Sequence, residues 1–297
     1  MKLISILRSS DQVVVLHRAG ADGILLGIND LSYRIPTYSF DQANSIHQQA
    51  TLLNMEVFLA LNRLLDEDEI QMAKAFIDAL QPASFTGIYF QDLAYVRFCE
   101  GKDVQLIYAP EAIITNSKEV EALCSCGIDR IMAAKELTLD EIEKMSTGNP
   151  QKVELFGFGH LPMALSRRPL VRNYLEEIGL DPSLSSGTQL RLKEEKRTVF
   201  YPILEDARET TLFSDTVFSV LSELKHLDMW GVYSIIADDV FVDASLLATF
   251  IASCKRILAG FKPQIEEERL GLSAPEITFT RGYFDTKTNL TKEDANL

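Results

Sequence analysis

The stretch KLISILRSSDQVVVLHRAGADGILLGI, residues 2–28, decides the fold. It opens on a short apolar run, passes Ser10 and Asp11, either of which suits a helix N-cap, and continues as a helix pattern that stops at Gly20. GILLGI then supplies a second apolar run, so the stretch reads as strand, helix, strand. Working outward, the same unit recurs. EVFLALN, TGIYFQD, VQLIYAP, IDRIMAA and KVELFGF each follow an amphipathic or capped helix pattern. GVYSIIAD comes eighth and leads into a long helix pattern over residues 244–261. These runs are too apolar to be half exposed, as expected of a parallel sheet covered on both faces. Eight such units predict a TIM-type (β/α)8 barrel. The rival, a doubly wound open sheet, calls for a glycine-rich phosphate turn after the first strand, and SILRSSD has none.

The barrel is expected to take in all of residues 1–297 as one domain. Residues 179–215, rich in Gly, Ser and Pro before TVFYPILED, read as an irregular excursion with a small β element between strands seven and eight. A tail is expected from about residue 275. At 46% hydrophobic and 24% charged residues, the chain has ample apolar material for such a core, which excludes disorder. The first twenty residues carry Arg8, Asp11 and His17, too polar for a signal peptide or membrane span, so a cytoplasmic location and no membrane contact are expected. The four cysteines form no C-x-x-C pair and read as reduced thiols. A net charge of -14 argues against bare electrostatic capture of nucleic acid, which needs a Lys/Arg surface or a partner.

Function in such a barrel gathers at the C-terminal strand ends. Those ends offer Asn62, Gln91, Asp92, Glu111, Lys135, Glu136, His160, Asp238 and Asp239. Asn116, at the head of the helix pattern after strand five, joins the binding candidates. Hydrolase and nucleotide signatures are missing: no G-x-S-x-G, H-E-x-x-H, Walker loop or G-x-G-x-x-G occurs. His17, His47 and His226 fall within helix patterns, whereas His160 follows a glycine at an expected strand end, where imidazole serves as acid, base or donor. His160, Glu136 and Asp92 are the acid–base candidates. No spacing among the carboxylates selects a metal site. In VELFGFGHLPMALSRRPLVRNYL, a strand is expected to end at Phe158 and turn at Gly159, setting Arg167, Arg168 and Arg172 near the mouth. Guanidinium groups there suit a carboxylate or phosphate; the alternative is internal pairing with acids such as Glu176 or Asp206.

Several of these stretches, in order, resemble the collagenase-like peptidase family U32: AGADGILLG, LNRLLDEDEI, FQDLAYVRF, ITNSKEVEAL, GIDRIMAAKELTLDEIEKM, VELFGFGHLPMALSRR, KEEKRTVFYPILED and FTRGYF. The resemblance runs almost end to end. Many of its members act as oxygen-independent hydroxylation factors for tRNA wobble uridine, ribosomal RNA or ubiquinone, and others carry the peptidase label. Cluster-bearing relatives place cysteines near Pro162 and at the position of Pro169, so the resemblance implies no iron–sulfur cluster here. The SRRPLVRNYL form resembles the smaller, cluster-less branch tied to tRNA uridine 5-hydroxylation, while GHLP also resembles the ubiquinone branch. Likeness to the tRNA uridine 5-hydroxylation branch implies prephenate as hydroxyl source, a longer cluster-bearing paralogue as partner, and tRNA bound with the partner's help. The alternatives are a collagenase-like peptidase and a non-catalytic scaffold for the paralogue.

Overall fold

The computed structural model describes residues 1–80, 85–110, 113–185, 187, 189–196, 198–206 and 208–286. Eight parallel strands close into a barrel: β1 (Lys2–Ile6), β2 (Gly23–Ile28), β4 (Glu56–Leu61), β5 (Gly87–Phe90), β6 (Gln105–Tyr108), β7 (Arg130–Met132), β8 (Val153–Ser166) and β12 (Ser234–Ala237). Closure is made by β12, which pairs β1 through Ile4 and Ile236 and β8 through Glu154 and Ser234. A two-residue strand, β3 (Thr37–Tyr38), lies beside β2.

Period-two alternation sorts each strand into two cores. Ile4 and Ile6, Leu25, Phe58 and Ala60, Tyr89, Ile107 and Ile236 point inward and fill the barrel. Their neighbours, such as Leu3, Ile24, Leu59, Ile88 and Ile235, pack outward against the helices. These helices are α1 (Gln12–Ala19), α2 (Phe40–Leu52), α3 (Ile70–Ala79), α4 (Ala94–Phe98), α5 (Ser117–Ser125) and α6 (Leu139–Gly148) after the first six barrel strands. Local chemistry sets their ends. Ser39 with Gln42 and Thr138 with Glu141 form capping boxes for α2 and α6, and Gly20, in the left-handed region, closes α1.

Strand seven departs from expectation. It does not end at Phe158 or turn at Gly159; β8 runs on to Ser166, well beyond the barrel wall. The extension is held by β11 (Thr210–Ser219), antiparallel, with His160 opposite Val217 and Ser166 opposite Thr210. Gly159 bends the strand without breaking it. Its φ is +127°, and a Cβ there would lie 2.5 Å from the Asp238 carbonyl oxygen, so the two segments pass this closely only at a glycine.

The β8 extension, α7 (Leu170–Glu177), β9 (Arg191–Lys193), β10 (Phe200–Glu205) and β11 make an arm over the mouth, inserted between the seventh and eighth barrel strands. The chain then returns through α8 (Leu224–Met229), β12, α9 (Ala244–Leu258) and α10 (Pro263–Ser273). β13 (Phe279–Thr280) comes back to pair with β11.

Candidate functional site

At the C-terminal ends of the barrel strands lies a small cavity of about 90 Å³. Its floor is the top of the barrel's interior core: Ile6, Leu25, Ala60, Tyr89 and Ile236. Its rim is polar. Asn62, Gln91, Lys135, His160 and Asp238 all line it, five strand-end residues expected from the sequence and here brought together. Arg34 completes the rim from the loop after β2, and the arm closes one side with Pro162 and Phe213.

Two of the rim amides build the site by holding that loop. Asn62 accepts from the Tyr33 N–H at 3.1 Å and donates to its carbonyl at 3.3 Å, while Gln91 Nε2 donates to the Tyr33 hydroxyl at 2.7 Å. Tyr33 is thereby buried and fixed. The next residue, Arg34, takes φ +65° and lays its guanidinium 4.5 Å from the centre of the Tyr33 ring. Left-handed backbone at a non-glycine residue persists only where neighbours enforce it. Arg8 contributes to that enforcement, donating from Nη2 to the Arg34 carbonyl at 3.2 Å. Its Nε and Nη2 also grip both oxygens of Asp238 at 2.8 Å, a bidentate pair. Asp238 therefore serves as an anchor for Arg8. Beside it, burial and then the Asp238 charge push the Asp239 carboxyl upward, and Gln12 Nε2 donates to it at 2.7 Å.

His160 is buried, with Nδ1 2.6 Å from the Ser214 carbonyl. A carbonyl only accepts, so Nδ1 carries the proton and Nε2 holds the lone pair of the neutral ring. Burial lowers its pKa, outweighing the upward pull of that hydrogen bond. The ring is neutral near pH 7. Phe241, at φ +65°, meets it edge-on with centroids 5.8 Å apart.

Arg34 and Ile35 also line a wider cleft of about 470 Å³ between the barrel and the arm. Buried Arg63 organises it, donating to Asp206 at 2.8 Å, Glu209 at 3.4 Å and the Ser32 carbonyl at 3.1 Å. Burial raises the Glu209 carboxyl despite the Arg63 charge.

Other expected residues lie elsewhere. Asp92 accepts from the Leu65 and Ala94 N–H groups and does not line the cavity. Asn116 caps α5 through the Lys118 and Glu119 N–H groups. Glu136 is exposed, and Glu111 lies outside the described residues. Arg167, Arg168 and Arg172 do not line this cavity; the unbroken β8 carries them onto the arm, where all three are exposed, and Arg167 reaches back to donate to the Leu64 carbonyl at 3.4 Å. Asp206, one of their suggested internal partners, is paired with Arg63 instead. Arg8, Tyr33, Arg34 and Arg63 were not among the residues picked from sequence. Arg8 and Arg63 each sit two positions past a barrel strand, β1 and β4, and are found by applying the strand-end rule there; Tyr33 and Arg34 lie in a loop without a motif.

Cys99 and Cys254 are buried, Cys124 is half-buried and Cys126 exposed, and none of them lines the mouth. Burial pushes the Cys99 thiol up to about 11. A thiolate-held cluster does not fit this cavity, whose rim offers amides, a lysine, an arginine, an imidazole and the Asp238 carboxylate but no thiol. Among the described residues, no group of three His, Cys, Asp or Glu stands ready to hold a metal ion.

A polar-rimmed cavity over the C-terminal end of a (β/α)8 barrel defines the class: a barrel protein with its candidate site at the strand ends. Within that class the chain belongs to peptidase family U32, whose family description matches residues 8–293. It is similar to tRNA hydroxylation protein P2 of Bacillus subtilis, 24% identical over 78% of this chain and 77% of that one. It is also similar to a collagenase of Porphyromonas gingivalis, 23% identical over 53% of this chain and 41% of that one. tRNA hydroxylation protein P1 of Bacillus subtilis matches at 21% over 52% of this chain and 38% of that one. Among solved structures, the U32 peptidase Mk0906 shares the fold with a TM-score of 0.51 at 11% identity, covering 80% of this chain and 92% of that one. Among the described residues no helix is long and apolar enough to cross a membrane.

Proposed function

We propose that this chain is a cluster-less subunit of a tRNA wobble-uridine 5-hydroxylation system, working in the cytoplasm beside a longer cluster-bearing paralogue. Prephenate, the small anionic co-substrate that supplies the hydroxyl group, would sit in the mouth cavity and extend past Arg34 and Ile35 into the cleft of about 470 Å³ that shares them. The observation that carries this reading is the convergence of Arg34, Lys135 and His160 over an apolar floor. Two cationic groups suit carboxylates, and Ile6, Leu25 and Tyr89 suit a hydrocarbon ring. His160 is the acid–base candidate that lines the cavity, and with Nδ1 spent on Ser214 its Nε2 is the atom that accepts a proton. The similarity to tRNA hydroxylation protein P2 over more than three quarters of both chains supports the substrate. The acidic body leaves much of the capture of tRNA to the partner.

The collagenase relative favours a peptidase reading, and the geometry around His160 weighs against it. His160 bonds the Ser214 carbonyl, not its hydroxyl, and that hydroxyl donates to the Thr216 carbonyl. Ser214 and His160 do not form a nucleophile–base pair.

Mass spectrometry of wobble nucleosides tests the reading, using tRNA from a strain lacking this gene and any oxygen-dependent route. The hydroxylated uridine should disappear and return with the wild-type gene, but not with Arg34→Ala. Persistence of the nucleoside in the deletion strain would sink the tRNA assignment. Prephenate should also raise the melting temperature of the wild-type protein and not that of Arg34→Ala; equal shifts would remove the ligand from this cavity.

A further inference from the structure

The nitrogen with which His160 can act is fixed by an irregularity in the strand beside it. Along β8 and β11, Pro162 stands opposite Phe213 and His160 opposite Val217, so three residues of β11, Ser214, Asp215 and Thr216, face Leu161 alone. A bulge of this kind interrupts the ladder and re-aims the groups it carries. Here one side chain makes up the loss. Buried Ser214 accepts from the Leu161 N–H at 2.9 Å and donates from the same Oγ to the Thr216 carbonyl at 2.7 Å. A single hydroxyl thus ties the bulge to the opposite strand and closes it upon itself.

The bulge in turn places the Ser214 carbonyl 2.6 Å from His160 Nδ1. Phe213, the residue before it, packs edge-on against Phe241 with ring centroids 5.1 Å apart, and Phe241 meets the imidazole edge-on. Ring plane and ring proton are therefore both held from one end of the bulge. A neutral histidine in water favours the form with its proton on Nε2, and a carbonyl fixed on Nδ1 is what selects the other form. The charges around the ring, Arg191 from β9, Asp215 from the bulge and Asp238 beyond β12, bear on its total charge, whereas the carbonyl selects the nitrogen.

We propose that Ser214 is a positioning residue for His160: its hydroxyl holds the bulge whose carbonyl keeps the proton on Nδ1, and so leaves Nε2 to accept a proton at the mouth. This rests on the reading of His160 as the acid–base group of the hydroxylation reaction and adds the residue that fits it for that part.

Nitrogen-15 NMR of the full chain with labelled histidine tests this, because protonated and unprotonated ring nitrogens resonate far apart. The chain has four histidines, and the signals lost in His160→Gln assign the ring in question. At a pH where that ring is neutral, wild type should show the Nδ1–H form. Ser214→Ala should move the ratio of the two forms roughly tenfold or more toward Nε2–H, the effect of one lost hydrogen bond, and so pull both averaged shifts off their limiting values. Ser214→Cys keeps the volume with only a weak hydrogen-bonding group and should move the same way, which serves if the alanine variant does not fold. Asp215→Asn, exposed in the same bulge, should leave the shifts in place. Thermal melts check folding. The level of hydroxylated wobble uridine should fall in a strain carrying Ser214→Ala and hold in one carrying Asp215→Asn. An unchanged Nδ1–H form in the folded Ser214 variants overturns the proposal. So does an equal shift in Asp215→Asn, or a shifted tautomer with undiminished hydroxylation. If deletion of the gene leaves the nucleoside in place, the tRNA reading fails, and the nitrogen shifts still decide whether Ser214 holds the proton.

Discussion

Replacing Glu154 with alanine should cost more stability than almost any other single change on the barrel wall. Glu154 is fully buried and Arg130 is 4% exposed, and Arg130 Nε donates to Glu154 at 2.5 Å. The other carboxylate oxygen accepts from the Tyr89 hydroxyl at 2.6 Å, and Arg130 also donates to Gln105 at 2.8 Å and lies 4.0 Å from the Tyr233 ring centre. Alanine strands a buried guanidinium and orphans a buried hydroxyl. Breaking one side of a buried ion pair costs about 3–5 kcal/mol. At about 2 °C per kcal/mol for a chain of this size, the melting temperature should fall by roughly 6–10 °C. Removing both charges as Arg130→Met/Glu154→Leu should recover about 2 kcal/mol of that, with about 1–3 kcal/mol left for the Tyr89 hydroxyl. Urea titration and calorimetry on the three proteins read these differences directly. The reasoning is wrong if Glu154→Ala stays within about 1 kcal/mol of wild type, or if the double variant is less stable than the single.

Further outcomes follow from the mouth and its supports. NMR titration should place the His160 pKa below the ordinary value of about 6.5. Because the folded pKa is depressed, its contribution to stability is present above the unfolded value and lost as pH falls through the folded one. His160→Gln should flatten that acid limb, and an unchanged limb would discount the assignment. Gly159→Ala should destabilise by roughly 2 kcal/mol or more, since it combines a positive φ with a Cβ against the Asp238 carbonyl; a neutral result in urea would contradict the close approach. Asn116→Ala should cost about 1 kcal/mol as a lost cap, leaving tRNA modification intact, whereas loss of modification with unchanged stability would return Asn116 to the binding candidates.

The barrel was legible because eight apolar runs alternate with helix-period patterns, which local sequence carries. Strand seven was not. Gly159–His160 looks like a strand end, yet the residues that hold the extension in β8 come from β11, about fifty positions away, and no local signal announces such a partner. For the site, the strand-end rule found the right neighbourhood but took adjacent residues in pairs. Alternation lets one of each pair face the cavity: Gln91 and Lys135 line it, while Asp92 and Glu136 do not. Arg34 was missed for a different reason. It reaches the mouth from a loop held by Asn62, Gln91 and Arg8, so its position is fixed by tertiary contacts and by no motif of its own.

The continuity of β8 bears on how the family can be recombined. The arm is not an insert spliced into a loop, because its first strand is the same strand that forms a stave of the barrel. Cutting the arm out at its base would sever that stave beside His160 and unpair β11 from it along most of its length. Chimaeras that exchange arms between relatives must therefore carry strand seven whole together with the arm, Val153 to Ser219, and bring the histidine with it. The arm and the mouth's histidine are inherited as a single exchangeable block, while Asn62, Gln91 and Lys135 stay with the barrel.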